Sequence, residues 1–187
     1  MSYRSTLFAP MILAAATACA GDLQQQVDDS RAVVKEFTDQ LKSELVAAMQ
    51  SGGPIAAVAL CNTRAPQIAA ETSERTGWKV GRTSLKLRNP ANAPDAWERT
   101  VLEDFERRKA AGEDPQKLEY YSVVEEDGKQ QFRYMKAIPT GELCLTCHGS
   151  NLQPELAQKL DTLYPQDQAR GFQVGDIRGA FTIIQPQ

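Results

Sequence analysis

The chain has 187 residues, of which 42% are hydrophobic, and its 24 acidic and 21 basic side chains give a formal net charge of −3. This charge balance gives no electrostatic reason to bind nucleic acid, so we expect no nucleic-acid partner. The length and the hydrophobic fraction fit one domain with its own core, and the sequence contains no internal repeat or low-complexity run.

Residues 1–20 have the pattern of a secretory signal peptide, with one positive charge at Arg4, an apolar run from Leu7 to Ala18 and small residues after it. The apolar run is shorter than the ~20 residues that cross a bilayer, and no later segment comes near that length. We therefore expect an exported, periplasmic protein whose mature part is a single domain at 21–187.

Two processing sites are open at the end of this segment. Cleavage after Ala20 would leave Gly21 first, whereas cleavage before Cys19 would free a thiol for acylation. The second site resembles that of a bacterial lipoprotein, although the large aliphatic residue usual three positions before the cysteine is absent. A lipid anchor at Cys19 is thus an alternative to a mature chain without an anchor.

After the signal, apolar residues at three- and four-residue steps predict a long amphipathic helix from Leu23 to Ser51. Gly52-Gly53 ends it, and Pro54 is well placed to start a second helix. Pro66 lacks the N–H that this second helix needs, so we expect the helix to kink or loosen after Cys61.

On the second helix, Cys61 shares an inward stripe with Val58, Ala65 and Ile68. Its neighbours one turn away are Ala57 and Ala65, so the surface around the sulfur is flat enough for a planar macrocycle. The alternative is that Cys61 is a small buried hydrophobic side chain, which is the commonest role of a free cysteine.

Several strands follow the helices. Strand-like residues run from Trp78 to Leu87, and a further helix opens at Pro94. Asp127-Gly128 predicts a type I′ turn that joins Tyr120–Glu126 and Lys129–Ile138 into a hairpin.

The turn sets the register of the hairpin. Tyr121 would pair with Tyr134 and Val123 with Phe132, so one face is aromatic and apolar, and we predict that it faces the core. Met135 would then point to the other face.

The pentapeptide Cys144-Leu145-Thr146-Cys147-His148 follows the hairpin and contains the only histidine of the chain. C-x-x-C-H is the pattern that attaches c-type haem, because two thiols can add to the vinyl groups while the adjacent imidazole binds the iron. The motif predicts one covalent haem c, held by Cys144 and Cys147, with His148 as the proximal iron ligand.

Other uses of the cysteine pair are a redox-active dithiol, a structural disulfide and half of a zinc site. A zinc site would need a second ligand pair, which the sequence lacks. A thioredoxin-like pair would need a βαβ pattern and a reducing compartment, and neither condition is met.

For the second iron ligand, Met49 and Met135 are candidates beside Cys61, and the hairpin register weakens the case for Met135.

The last elements are a helix at Pro154–Leu163 and a strand whose apolar residues alternate from Ile177 to Ile183. Helices, then strands broken by short helices, with one antiparallel hairpin, make an α+β domain. This pattern does not describe a small all-helical cytochrome c.

Four segments together resemble a family of exported single-haem c-type domains with a PAS-like fold, which occur as stand-alone haem proteins and as periplasmic input domains of membrane kinases and chemoreceptors. The resemblance implies a central antiparallel sheet with flanking helices, and iron held by His148 and Cys61. Arg82 and Arg88 could meet the haem propionates, since arginine binds carboxylates in bidentate fashion, or they could be exposed surface residues. The matching segments are ALCNTRAP (59–66), RTSLKLRNPANAPDAWE (82–98), CLTCHG (144–149) and YPQDQARGFQVGDIRGAFTI (164–183).

The resemblance implies a fold and a cofactor more specifically than it implies a physiological role. A thiolate ligand stabilises ferric iron, so a His/Cys site is strongly reducing and suits an everyday electron carrier poorly. Two occupied axial positions leave no place for a substrate, so we expect no enzyme activity. We predict a monomeric redox or small-gas sensor domain that reports to a partner protein in trans. The alternative is a low-potential electron-transfer cytochrome c.

Overall fold

The computed structural model describes the backbone of residues 15–187 and the side chains of residues 22–187. Residues 1–14, which are most of the predicted signal peptide, and the side chain of Cys19 lie outside this description. The elements are α1 (Ala15–Thr76), β1 (Lys79–Thr83), α2 (Ala96–Ala110), β2 (Glu119–Glu126), β3 (Lys129–Pro139), α3 (Leu145–His148), α4 (Pro154–Leu163) and β4 (Ile177–Pro186), with short 3-10 turns at Pro90–Asn92 and Glu142–Cys144.

The four strands form one antiparallel sheet in the order β1-β4-β3-β2. Side chains alternate between its faces, and both faces are covered. Phe132 and Tyr134 pack with Phe37 of α1 on one face, whereas Met135 and Ala137 pack beneath α2 on the other. The predicted α+β fold, with a PAS-like antiparallel sheet, flanking helices and a long N-terminal helix, is confirmed.

The β2–β3 hairpin has the predicted register, with Tyr121 opposite Tyr134 and Val123 opposite Phe132. Its turn at Asp127-Gly128 has φ values of 52° and 73°, which is the positive pair that a type I′ turn requires. Phe132 and Tyr134 are fully buried, but Tyr121 and Val123 are 39% and 46% exposed. The predicted core face is therefore correct for β3 only, because β2 is an edge strand that no helix covers fully.

The long helix α1 is interrupted at Gly53, whose φ and ψ of 67° and −163° are not helical. Pro54 starts the second helical part, as the sequence predicts. Pro66 does not end this second part, because helical dihedrals continue through it to Thr76. The buried side chains of Ala65 and Ile68 lie on either side of Pro66, and their packing holds the helix where loosening was expected.

By length and composition, the part of α1 from Asp22 to Thr76 is apolar enough to cross a bilayer, which the sequence analysis did not expect. Core helices of folded domains pass the same test. Several apolar residues of this helix face the interior of the domain, among them Leu41, Leu45 and Val58, which line an internal cavity. Only 17% of the apolar stretch is buried, so the cavity wall accounts for part of its apolar composition.

Two element boundaries differ from the prediction. Strand β1 ends at Thr83, because the Ser84 hydroxyl accepts a hydrogen bond from Lys86 N and donates one to Arg178 O, which turns the chain away from the sheet. Helix α2 begins at Ala96 and not at Pro94, because Asp95 is its N-cap in a capping box with Glu98.

The close approach of β4 to the end of β1 predicts an effect of Gly179→Ala. A Cβ at Gly179 would clash with the carbonyl oxygen of Thr83 and lie 3.1 Å from Ser84 Cβ. We expect a loss of about 1–3 kcal/mol in the free energy of unfolding, measured by chemical denaturation. Gly81→Ala is the matched control, since its Cβ would meet only Thr182 Cγ2 at 3.7 Å. Equal stability of the two variants would contradict this account.

Candidate functional site

A cavity of about 250 Å³ lies between α1, the end of β1 and the C-x-x-C-H segment. Most of the residues that the sequence analysis proposed for haem binding line it, although these residues come from distant parts of the chain. They are Met49, Cys61, Arg82, Arg88, Cys144, Cys147 and His148, whereas Met135, the other candidate for the second iron ligand, does not line it.

The C-x-x-C-H segment is placed by the end of β3 and by the packing of α4. A 3-10 turn and the single-turn helix α3 follow β3, and Gly149 closes α3 with a hydrogen bond from its N–H to Leu145 O at 2.9 Å. A Cβ at Gly149 would lie 2.6 Å from that same carbonyl oxygen. Leu160 of α4 packs with Val58 of α1, and Cys147 packs against this cluster. The helix that carries Cys61 is thereby held beside the motif.

His148 has one ring nitrogen engaged and the other available. Its Nδ1 lies 2.8 Å from Ala169 O. A carbonyl only accepts, so Nδ1 carries the proton and Nε2 keeps its lone pair. Burial and the charges of Arg178 and Arg88 hold the pKa of His148 well below its usual value. His148 is therefore a neutral imidazole whose Nε2 keeps its lone pair, which is the form that binds a metal.

Arg178 of β4 lies against the His148 ring, with Nε 3.2 Å from Nδ1 and 3.5 Å from Nε2. Nδ1 cannot accept this N–H, because its own proton points to Ala169 O, so only Nε2 can accept it, over the longer distance. The guanidinium also donates from Nη1 to Ser84 Oγ at 3.1 Å. Burial, and then the charges of Arg88 and Arg82, lower the pKa of Arg178 to about 10. Sequence reasoning missed this residue, whose signal was an arginine inside a largely apolar strand.

Arg88 is a buried structural arginine. Its Nε lies 3.1 Å from Asp167 Oδ1, and the two side chains are 10% and 2% exposed. Its Nη2 donates to Cys147 O at 2.6 Å and to Ala169 O at 3.1 Å. The exposed-surface alternative is therefore wrong for Arg88. It connects the C-x-x-C-H segment with the segment whose carbonyl orients His148.

Arg82 differs from Arg88 because its guanidinium makes no hydrogen bond or ion pair with the side chains and backbone described for residues 22–187. Its guanidinium carbon lies 5.6 Å from the centroid of the Phe37 ring. Burial lowers the pKa of Arg82, and its interactions with Cys61 and Tyr164 oppose that shift. Arg82 thus brings an unpaired positive charge to the cavity, close to Cys61.

Cys61 has the placement that its helical stripe predicts. Val58, Ala65 and Ile68 are buried, while Cys61 is only partly buried because it faces the cavity. Burial raises the pKa of the Cys61 thiol, and the charges of Arg82 and Arg88 lower it. The neutral thiol is therefore the resting form, and a nearby positive charge favours the thiolate.

The cavity suits a flat, largely apolar molecule that carries negative charge. Three guanidinium groups line it and, among the lining residues, there is no carboxylate. Arginine pairs readily with carboxylates such as the two propionates of haem. Apolar side chains complete the walls, and they include Leu41, Leu45, Val58, Leu87 and Ile138. The residues present thus fit the haem that the motif predicts.

Two of the three alternatives for the cysteine pair find no supporting geometry among residues 22–187. Cys61, Cys144 and Cys147 are all free thiols. In the same part of the chain, no three His, Cys, Asp or Glu side chains come close enough to hold a metal ion by themselves.

The Arg88–Asp167 pair predicts a stability effect. Burial opposes ionisation of Asp167, but hydrogen bonds from Arg170 and Arg88 outweigh it and lower its pKa. Asp167→Asn leaves Arg88 buried without its counter-charge, so we expect a loss of about 3 kcal/mol in the free energy of unfolding. The control is Asp161→Asn, which removes a 67% exposed partner of Arg170 and should cost less than about 1 kcal/mol.

The pH dependence of stability provides a second check on the same pair. The pKa of Asp167 is lower in the folded chain than in the unfolded chain, so its stabilisation is present above the unfolded value of ~3.9 and is lost as the pH falls below it. The difference in unfolding free energy between wild type and Asp167→Asn should shrink as the pH falls through this range. A difference that stays constant down to pH ~2 would show that the charge of Asp167 is not responsible.

Comparison with known proteins agrees with this fold. The profile of a family described as Tll0287-like matches residues 11–186. Among solved structures, the cyanobacterial haem protein Tll0287 matches with a TM-score of 0.65 and 25% sequence identity, over 87% of this chain and 96% of the other. No curated protein matches the chain. The family match covers nearly the whole sequence, and the chain therefore belongs to the Tll0287-like family.

Proposed function

We propose that this chain is an exported haem protein that carries one covalent haem c and acts as a redox or small-gas sensor. The observation that carries the proposal is the cavity in which both motif cysteines, Cys61 and a histidine with its proton on Nδ1 meet. The solved relative Tll0287 is a cyanobacterial haem protein, which supports the same cofactor for this chain.

Four residues of the chain hold the group. Cys144 and Cys147 would hold it through thioether bonds, in which each thiol adds across a vinyl group, its proton goes to the other vinyl carbon and no electron is exchanged. His148 would hold the iron through Nε2, and Cys61 would hold it as thiolate. The bound group supplies an iron centre that takes up or releases one electron.

The cavity arginines have separate roles in this proposal. Arg82 and Arg178 offer guanidinium donors to the propionates, since neither has an ion-pair partner among residues 22–187. Arg88 has Nε and Nη2 engaged with Asp167, Cys147 O and Ala169 O, and only Nη1 is left for a propionate. The propionates would bring Arg82 and Arg178 the counter-charge that the lining residues lack.

A sensor is favoured over an enzyme because His148 and Cys61 together fill both axial positions. A small gas binds only if one ligand leaves, so binding and a change in the protein are coupled. We propose that the periplasmic domain is a monomer, without enzyme activity, that reports to a redox or signalling protein in trans. A lipid anchor at Cys19 stays an open alternative to a freely diffusing domain.

One observation favours a low-potential electron-transfer cytochrome c as a second candidate. Leu143 lines the cavity and is 43% exposed directly beside Cys144. An apolar residue at this place would let the edge of the bound group approach the surface, where electrons could pass to a docked protein. Fast electron exchange with a redox protein, without any ligand change, would favour this candidate over the sensor.

Covalent attachment is tested with protein matured in a periplasm that makes c-type cytochromes. Wild type should stain for haem after denaturing electrophoresis, Cys144→Ala or Cys147→Ala should stain weakly, and the double variant should not stain. His148→Ala should alter the absorption spectrum because it removes the proximal ligand. Cys61→Ala is the control, since this cysteine lies outside the motif and the stain should persist. A colourless wild-type band would refute the proposal.

Ligation by Cys61 is tested by electron paramagnetic resonance of the oxidised protein. We expect the narrow spread of g-values typical of low-spin His/thiolate haem in wild type and its loss in Cys61→Ala. The reduction potential should rise in this variant by on the order of 0.2 V, because a neutral or absent ligand no longer stabilises the ferric charge. Identical spectra for the two proteins would show that Cys61 only packs against the cavity.

A further inference from the structure

The cavity contains one more donor atom than the proposed function uses. Five side chains with a sulfur or imidazole donor line it, namely Met49, Cys61, Cys144, Cys147 and His148. Cys144 and Cys147 are consumed by the thioether bonds, and His148 is the proximal ligand. Two sulfurs are left for one axial position, the thiol of Cys61 and the thioether of Met49.

Met49 and Cys61 belong to different parts of α1. Met49 precedes the interruption at Gly53 by four residues, and Cys61 follows it by eight. The positive φ of Gly53 and the missing N–H of Pro54 remove helical restraint at this point. A Cβ at Gly53 would meet no atom within 4 Å, so the interruption is not wedged by neighbouring side chains. The two sulfurs are thus carried by helical parts that can adjust independently.

The surroundings of the two sulfurs favour different states of the iron. Leu41, Leu45 and Met49 recur every four residues and form an apolar wall of the cavity. Cys61 lies near the charges of Arg82 and Arg88, which favour its thiolate. An anionic thiolate matches the extra charge of ferric iron, whereas a neutral thioether favours the ferrous state.

We propose that Met49 replaces Cys61 as the second axial ligand when the protein is reduced. The inference rests on the proposed function, because it presupposes haem held by His148 and Cys61. One electron enters from a one-electron reductant. The bond between iron and the Cys61 sulfur breaks, the thiolate takes one proton from solvent, and the Met49 thioether sulfur forms the new bond. No other atom is gained or lost in this exchange. The accompanying motion of the two helical parts at Gly53 is the structural signal that reaches the surface.

Met49→Leu tests the proposal in full-length holoprotein, with dithionite as reductant and carbon monoxide as probe. Reduced wild type should have the sharp absorption bands of a six-coordinate low-spin site. Reduced Met49→Leu should become high-spin, and its apparent affinity for carbon monoxide should rise at least about tenfold because the competing ligand is gone. The ferric paramagnetic resonance spectrum should not change, because Cys61 is the ligand in that state.

Met135→Leu is the matched control. Met135 is fully buried beneath α2 on the other face of the sheet and does not line the cavity, so its variant should behave as wild type in both states. Equal ferrous spectra and equal carbon monoxide affinity for Met49→Leu and wild type would overturn the proposal. The same change in both methionine variants would also overturn it, since it would reveal a general effect of packing.

Cys61→Ala provides a measurement that does not depend on the folding of a methionine variant. If Met49 is the ferrous ligand, reduced Cys61→Ala and reduced wild type should have the same low-spin spectrum, although their ferric spectra differ. Different reduced spectra would mean that Cys61 still binds ferrous iron, and the exchange would be wrong. Equal ferric spectra would instead refute Cys61 ligation and with it the proposed function, so the two failures are distinguishable.

Discussion

The geometry of the site depends on the buried ion pair between Arg88 and Asp167. Arg88 holds the carbonyl of Cys147, and Asp167 accepts the backbone N–H of Ala169 at 2.9 Å. The carbonyl of Ala169 then accepts a hydrogen bond from the N–H at His148 Nδ1. One pair of opposite charges, withdrawn from water, therefore fixes both the cysteine segment and the orientation of the imidazole. A buried pair is costly to break, because either charge alone would be left without compensation.

The positive charge of the cavity depends on which arginines Asp167 pairs with. Asp167 is engaged with Arg88 and Arg170, so it does not neutralise Arg82 or Arg178. An excess of positive charge therefore faces an apolar space, and an anionic group is the natural complement. The charges of Arg82 and Arg88 oppose the rise that burial causes in the pKa of the Cys61 thiol. The field that would hold the propionates would thus also favour the Cys61 thiolate.

The interruption of α1 connects this chemistry with the rest of the fold. Before Gly53 the helix packs on the sheet through Phe37, and after it Val58 packs on α4 beside the cysteine segment. A change of ligand on the cavity wall would therefore act on two different packing surfaces. A helix without the Gly53-Pro54 step would bind both surfaces rigidly and could not separate them.

The sequence by itself determined those features that depend on local rules. The helical period specified α4, the type I′ turn specified the hairpin register, and the alternation of strand residues specified the burial of Phe132. The C-x-x-C-H spacing specified the candidate haem attachment site. Only the tertiary structure decided that Tyr121 is exposed at a sheet edge, that Pro66 stays helical, that Arg88 is structural and that Arg178 lies against His148. These outcomes come from contacts between segments far apart in the chain, such as Arg88 with Asp167, and no local period or turn preference encodes which distant partner a side chain will meet.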